Sequence, residues 1–366
     1  MLTLPDYPWD AMAPYRAAAQ AHPGGEVNLS IGTPVDPTPE VIRQALSRAA
    51  DAPGYPTTHG TAALREAIAD WFARRRSAPG VDPEAVLPTI GSKEFVAWLP
   101  TLLGLGPGDV VVRPLIAYPT YDMGAVIAGA QPVAADDVTA LDEQTRRRVK
   151  LIWLNSPGNP TGKVDDVATM RAAVEFAREV GAVVASDECY AELPWETEEV
   201  PSVLDPRVCG GSHEGLLAVY SVSKQSNLAG YRAAFTAGCA QLIAGLLNTR
   251  KHAGMIMPAP VQEALRAAVT DQAHVAAQRE IYRSRRRTLK PALEQAGYRV
   301  EHSEAGLYLW CTDGSGETWA QVQRLADQGI IVGPGVFYGE AGAGYIRVAL
   351  TAPDDRIAAA AERLGG

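Results

Sequence analysis

Apolar and polar positions change their period along the chain. Val86–Thr89 and Val110–Arg113 read as short strands, and apolar runs follow at Leu151–Leu154, Ala182–Ser186 and Leu217–Tyr220. Runs of this length without alternation predict strands covered on both faces. Helical spacing fills the intervals, over Pro39–Ala50, over Ala62–Arg76 (apolar at Ala63, Ile68, Trp71 and Phe72) and over Val167–Val180. Strands alternating with helices predict a mostly parallel sheet between helical layers, the α/β class. Beyond residue 270 the pattern differs. An Arg-rich helix over Asp271–Ala296, bent near Pro291, leads into strand-like Tyr298–Glu301, Gly306–Cys311, Ile330–Val332 and Tyr345–Leu350. With a helix at Thr318–Gln328 these predict a smaller α+β unit. Residues 1–35, rich in Pro, read as an extended arm with a short helix.

A length of 366 residues favours two domains over one core. The hydrophobic fraction of 47% and charged fraction of 20% fit a soluble globular enzyme. A net charge of −9 argues against nucleic acid or an anionic membrane as partner. Arginine clusters at Arg74–Arg76, Arg146–Arg148 and Arg285–Arg287 read as solvated helix faces. The start, Met1 to Asp10, lacks the basic-then-apolar order of a signal peptide, and no apolar run approaches the ~20 residues of a membrane span. A cytoplasmic protein is expected. Cys189, Cys209, Cys239 and Cys311 are scattered and read as reduced thiols. Cys209 and His213 are too few for a zinc site, so no metal is expected.

Several segments carry possible chemistry. Lys224, in Ser221-Val-Ser-Lys224 after the apolar run Leu216–Tyr220, suits a Schiff base with an aldehyde cofactor, provided that its amine is desolvated. Ser221, Ser223 and Arg232 offer hydroxyls and a guanidinium fork to a phosphate. Gly91-Ser92-Lys93 follows a strand and opens a helix starting near Glu94; it reads as a phosphate cradle or as an ordinary capped turn. Tyr118 and Tyr121 lie just past a strand end, as cofactor-facing rings or as core. The loop Asn155–Gly162 can project Asn159 as a donor. Asp187, with Tyr190 three residues on, ends a strand at the crevice where such sheets bind ligands, or caps a turn. Arg347, alone among apolar neighbours, needs a carboxylate from a substrate or from the protein itself.

Together these motifs resemble those of the class I and II aminotransferases, which use pyridoxal 5′-phosphate (PLP). The resemblance runs from about Asn28 to Leu350. It implies the PLP-dependent transferase fold type I, with a large domain over residues 36–270 and a small domain formed by residues 1–35 and 271–366. It also implies roles. Lys224 carries the cofactor and acts as general base; Asp187 faces the pyridine nitrogen; Asn159 and Tyr190 donate to the phenolic oxygen. Tyr118 stacks on the ring, with Tyr121 as the alternative. Gly91, Ser92, Lys93, Ser221, Ser223 and Arg232 belong to the cofactor side. Gly32, Asn159 and Arg347 face the substrate, Arg347 clamping its α-carboxylate. Tyr55 resembles a tyrosine that reaches the phosphate of the neighbouring subunit, implying a homodimer with shared sites. Small amino and oxo acids are the implied partners.

The whole sequence, including Asp6-Tyr-Pro-Trp-Asp10 and Ser186-Asp-Glu-Cys-Tyr-Ala-Glu192, is similar to actinobacterial N-succinyldiaminopimelate aminotransferases. That likeness implies glutamate as donor and N-succinyl-2-amino-6-oxopimelate as acceptor. The acceptor's carboxylate tail would require a second cation, with Lys93, Lys163, Arg250 and Lys251 as candidates. Transamination of another amino acid, a carbon–sulfur β-lyase and a non-catalytic effector-binding module are the alternatives.

Overall fold

The computed structural model describes residues 4–365. Met1–Thr3, the first residues of the start read above for targeting, lie outside them. The strands in chain order are β1 (Val27–Asn28), β2 (Val86–Thr89), β3 (Val110–Arg113), β4 (Gln131–Ala134), β5 (Val149–Asn155), β6 (Val183–Asp187) and β7 (Leu216–Ser221). They continue as β8 (Ala234–Gly238), β9 (Arg299–Glu301), β10 (Tyr308–Thr312), β11 (Ile330–Ile331), β12 (Gly333–Pro334) and β13 (Ile346–Ala349).

Seven strands form the main sheet in the order β2-β8-β7-β6-β5-β3-β4. β8 runs against the direction shared by the other six. Every residue of β7 is buried, as expected for a strand covered on both faces. Apolar side chains pack on the two faces as separate cores. One gathers Trp71, Phe72, Tyr220 and Phe235; the other gathers Phe95, Tyr121 and Trp153. Strands β4 and β8 escape the apolar-run pattern. β8 is built on small residues (Ala-Phe-Thr-Ala-Gly), and β4 carries Pro132. Proline lacks the ladder donor and belongs at edges; the two proline-bearing strands, β2 with Pro88 and β4, are the two edges of this sheet.

The remaining strands form an antiparallel sheet β12-β13-β10-β9 and a parallel pair β1-β11. A third core joins Met12 and Leu29 of the arm to Tyr282 and Leu289 of the helix Ala273–Gln295 and to Leu309 and Val348 of the second sheet. That helix begins later than its expected start at Asp271, whose carboxylate accepts the His274 N–H at 3.0 Å instead of entering the first turn.

In two of the arginine clusters expected to be solvated, one member is not, though Arg74 and Arg287 are exposed. Arg76 is buried and pairs with buried Glu188 at 2.9 Å, while Arg285 is buried between Asp36 and Asp354. A carboxylate that packing forces inside requires a cation there, and the neighbouring helix supplies it. Arg147, of the middle cluster, is exposed. No helix among the described residues is long and apolar enough to cross a membrane.

Candidate active site

Adjacent parallel strands β5, β6 and β7 end at Asn155, Asp187 and Ser221, so three motif segments leave the sheet side by side. The second sheet faces them with β10 and β13. Arg347 pairs in register with Trp310, and Tyr308, two residues away, shares its face. Between the two lies a cavity of about 670 Å³ lined by Lys224, Asp187, Asn159, Tyr190, Arg347 and Tyr308, among others. A second cavity of about 510 Å³ lies beyond Asn155 and holds Asp136, Lys163, Asp165 and His302. The chemistry is assigned to the first, because it contains the buried amine of Lys224 beside Asp187 and Arg347.

At one end of this cavity the helix Ser92–Leu102 begins, slightly before the expected start near Glu94, with Gly91 as its N-cap. Gly91 has φ +99°, and a Cβ there would overlap the Arg232 guanidinium. The backbone angle requires glycine, and its lack of a Cβ leaves room for the guanidinium. Arg232 is itself left-handed at φ +54° and donates to the Ala229 carbonyl at 2.8 Å. Ser221 and Ser223 complete this end, their hydroxyls 2.8 Å apart. A helix N-terminus, a guanidinium and hydroxyls converging on one point fit a phosphate group.

On the floor, buried Asp187 accepts the Tyr121 hydroxyl at 3.0 Å and the Cys189 N–H at 3.2 Å. Burial pushes its carboxyl above the usual range. No side-chain cation of the chain pairs with it among the described residues, so the carboxylate suits a protonated ring nitrogen. Tyr121 is locked beneath, stacked on Trp153 with centroids 5.0 Å apart, and Tyr118 stands edge-to-face against it at 6.0 Å. Lys224 bonds the Gly32 carbonyl. Burial holds its amine below the ordinary lysine value; Tyr308 opposes that shift, and Arg347 adds to it.

Opposite the floor, Arg347 donates to Asn159 Oδ1 at 2.9 Å and to the Ser30 carbonyl at 2.6 Å. Its guanidinium lies 4.0 Å from the Tyr308 ring centroid and 4.8 Å from that of Tyr338. Both acceptors are neutral, so a buried cation faces the cavity without an anion from the described chain. Tyr190 Oη sits 3.2 Å from Tyr308 Oη.

Most of the residues singled out in the sequence thus meet in one place. Lys93 lines the cavity near Tyr7. Tyr55 stands apart, fully exposed. Of the other tail-binding candidates, Arg250 is consumed by an internal pair with Glu94 at 2.9 Å, and Lys163 pairs with Asp165 at 3.2 Å in the second cavity. Lys251 is exposed on the helix Ala240–Ala253. Tyr308, Tyr338 and Trp9 escaped the sequence reading. Tyr308 is an aromatic in an apolar strand, indistinguishable from core, and Trp9 and Tyr338 lie in segments whose local sequence does not fix where they point; only the pairing of β10 with β13 and the arm's path bring them to the site.

Comparison with known proteins agrees with this geometry. The family model for aminotransferase class I and II matches residues 25–364. The 4-dedimethylamino-4-oxo-anhydrotetracycline transaminase OxyQ of Streptomyces rimosus is 57% identical, covering 100% of both chains. The LL-diaminopimelate aminotransferase of Aquifex aeolicus is 34% identical over 92% of this chain and 90% of its own. Among solved structures, a probable N-succinyldiaminopimelate aminotransferase of Thermus thermophilus superposes with a TM-score of 0.87 at 30% identity, over 98% of this chain and 99% of that one. The chain belongs to the class I and II aminotransferases, enzymes of fold type I that depend on pyridoxal 5′-phosphate.

Proposed function

We propose that this aminotransferase moves the amino group of glutamate to N-succinyl-2-amino-6-oxopimelate, in the formation of diaminopimelate. The observation that carries the reading is that two cations of different setting, buried Arg347 and exposed Lys93, line one cavity. They suit the α-carboxylate held in common by donor and acceptor and the carboxylate of a succinylated tail. Relatives whose names refer to diaminopimelate or its N-succinyl derivative add support.

In this reading Gly91, Ser92, Ser221, Ser223 and Arg232 hold the cofactor's phosphate, and Tyr118 covers its ring. Lys224 is its point of covalent attachment. PLP, when bound, supplies an electrophilic carbonyl and an electron-withdrawing ring. Asp187 keeps the ring nitrogen protonated, while Asn159 and Tyr190 donate toward the phenolic oxygen. Arg347 fixes the donor's carboxylate. The free Lys224 amine, whose protonation burial disfavours, takes the α-proton. Fully exposed Tyr55 reaches the phosphate of a second chain in a cytoplasmic homodimer.

A second reading is favoured by the mouth of the cavity. Leu4, Tyr7, Trp9, Ile31, Met123 and Phe337 make it apolar, which suits a polycyclic ketone acceptor, and the OxyQ relative is named for such a substrate. The two separate in one experiment. Purified protein with PLP and glutamate is offered each acceptor while 2-oxoglutarate is followed. Turnover with N-succinyl-2-amino-6-oxopimelate supports the first reading; turnover confined to a polycyclic ketone supports the second. Lys224→Ala loses multiple turnover with either, by about 10⁴-fold.

A further inference from the structure

We propose that Tyr308 is a positioning residue for this reaction: its hydroxyl donates to Tyr190 Oη and thereby leaves the Tyr190 proton free for the cofactor's phenolic oxygen. The inference rests on the reading of Tyr190 as a donor to that oxygen. The two hydroxyls lie 3.2 Å apart, buried, and a pair of hydroxyls shares one proton along the line between them. The shared proton belongs to only one of them. If Tyr190 gave it, Tyr190 would have none left for a cofactor.

The surroundings set the direction. Tyr308 carries the Arg347 guanidinium over its ring at 4.0 Å and feels the Lys224 charge, whereas among the described residues no cation lies over the Tyr190 ring and Arg347 acts on it less than burial does. A cation over the ring favours the phenolate and strengthens its O–H as a donor. Burial acts against this at Tyr308, but the Arg347 and Lys224 charges favour its phenolate and its hydroxyl lies below the ordinary phenol value; burial pushes Tyr190 well above it. The more acidic hydroxyl donates and the less acidic accepts. Position is fixed as well, since the Tyr308 hydroxyl presses on Gly32, where any Cβ would overlap it, and the Gly32 carbonyl takes the Lys224 amine. Donation from Tyr308 polarises Tyr190 and strengthens its onward bond.

Tyr308→Phe keeps the ring under Arg347 and deletes only the hydroxyl. With PLP bound, the pH midpoint of the cofactor's absorbance change should rise by up to about half a unit in this variant, because Tyr190, no longer polarised by Tyr308, donates more weakly to the anionic phenolic oxygen. In a Tyr190→Phe background the same substitution should add no shift, because Tyr308 acts through Tyr190. An unchanged midpoint in Tyr308→Phe overturns the proposal, as does a shift that adds in full to that of Tyr190→Phe. A measurement on the unaltered, PLP-free protein guards against a variant that misfolds. Its tyrosinate absorbance should show one tyrosine titrating below the ordinary range, and the absence of such a tyrosine also overturns the assignment. If wild-type protein with bound PLP shows no pH-dependent band, or Tyr190→Phe leaves its midpoint unmoved, the underlying reading of Tyr190 fails instead.

Discussion

Arg250 and Arg347 are both buried, yet their settings are opposite. Arg250 grips Glu94 through both terminal nitrogens, at 2.9 and 3.1 Å, and fastens the helix Ala240–Ala253 to the helix Ser92–Leu102. Arg347 has an amide, a carbonyl and two tyrosine faces around it. The first charge is neutralised by the fold. The second is held in place by neutral groups whose geometry leaves its net charge for a ligand. A buried pair contributes integrity, and its loss strands a partner; a buried cation without an anion is kept at a cost to stability that substrate binding offsets. The contrast teaches that burial of arginine does not mark function. The identity of its acceptors does.

The largest effect should follow from removing the unpaired charge. Arg347→Met fills similar space and should lower kcat/KM for glutamate roughly 10³-fold, about 4 kcal/mol, while the melting temperature holds or rises. A steady-state assay and a thermal melt on the same preparation check both halves. Arg250→Met should do the reverse. Glu94 is left without its partner, costing about 3 kcal/mol in urea unfolding, with kcat/KM per folded molecule unchanged. If both variants lose stability and neither loses substrate affinity, the comparison is wrong.

The same contrast explains what the sequence could and could not disclose. Apolar runs placed β2, β3, β5, β6 and β7 well, because a strand covered on both faces must be apolar throughout. β8, made of small residues, and β4, which opens on Gln131 and has no buried residue, carry no such signal. Lys224, Asp187, Asn159 and Arg232 were legible because each sits in a segment whose glycines, prolines and serines constrain the backbone around it. Arg347 was legible as a lone charge in an apolar strand. Arg76 and Arg285 were misread because a charge within a cluster looks solvated unless its distant carboxylate is known; Glu188 and Asp36 lie 112 and 249 residues away. Tyr308 gave no sign, since an aromatic in a buried strand reads as core.

A smaller effect distinguishes the two arginines through Lys224. Arg347 is among the groups that depress its amine, after burial, and Arg250 is not. The neutral amine needed for attachment exists above its folded pKa. Loading of PLP onto cofactor-free protein should therefore accelerate as pH rises and level off before the ordinary lysine value. Arg347→Met withdraws one depressing charge, so the rising limb should move to higher pH. Arg250→Met should leave it in place. Stopped-flow absorbance across pH reads the midpoint directly, and a limb that stays fixed in Arg347→Met would show that the two groups do not sense each other.

The smallest effect concerns Lys93, which shares the cavity with Arg347 but is exposed. Water screens an exposed ammonium, and its contribution to an ion pair is at most about 1 kcal/mol. Lys93→Ala should thus raise KM for an acceptor with a carboxylate tail by about fivefold and leave glutamate's KM unchanged, because Arg347 holds the α-carboxylate that both share. Raising the salt concentration should shrink this difference, since screening already weakens what the variant removes. An acceptor without a tail carboxylate should show neither the loss nor the salt dependence. Should Lys93→Ala instead impair both acceptors and glutamate equally, its role lies with the cofactor beside Ser92, and the apolar mouth alone would select the acceptor.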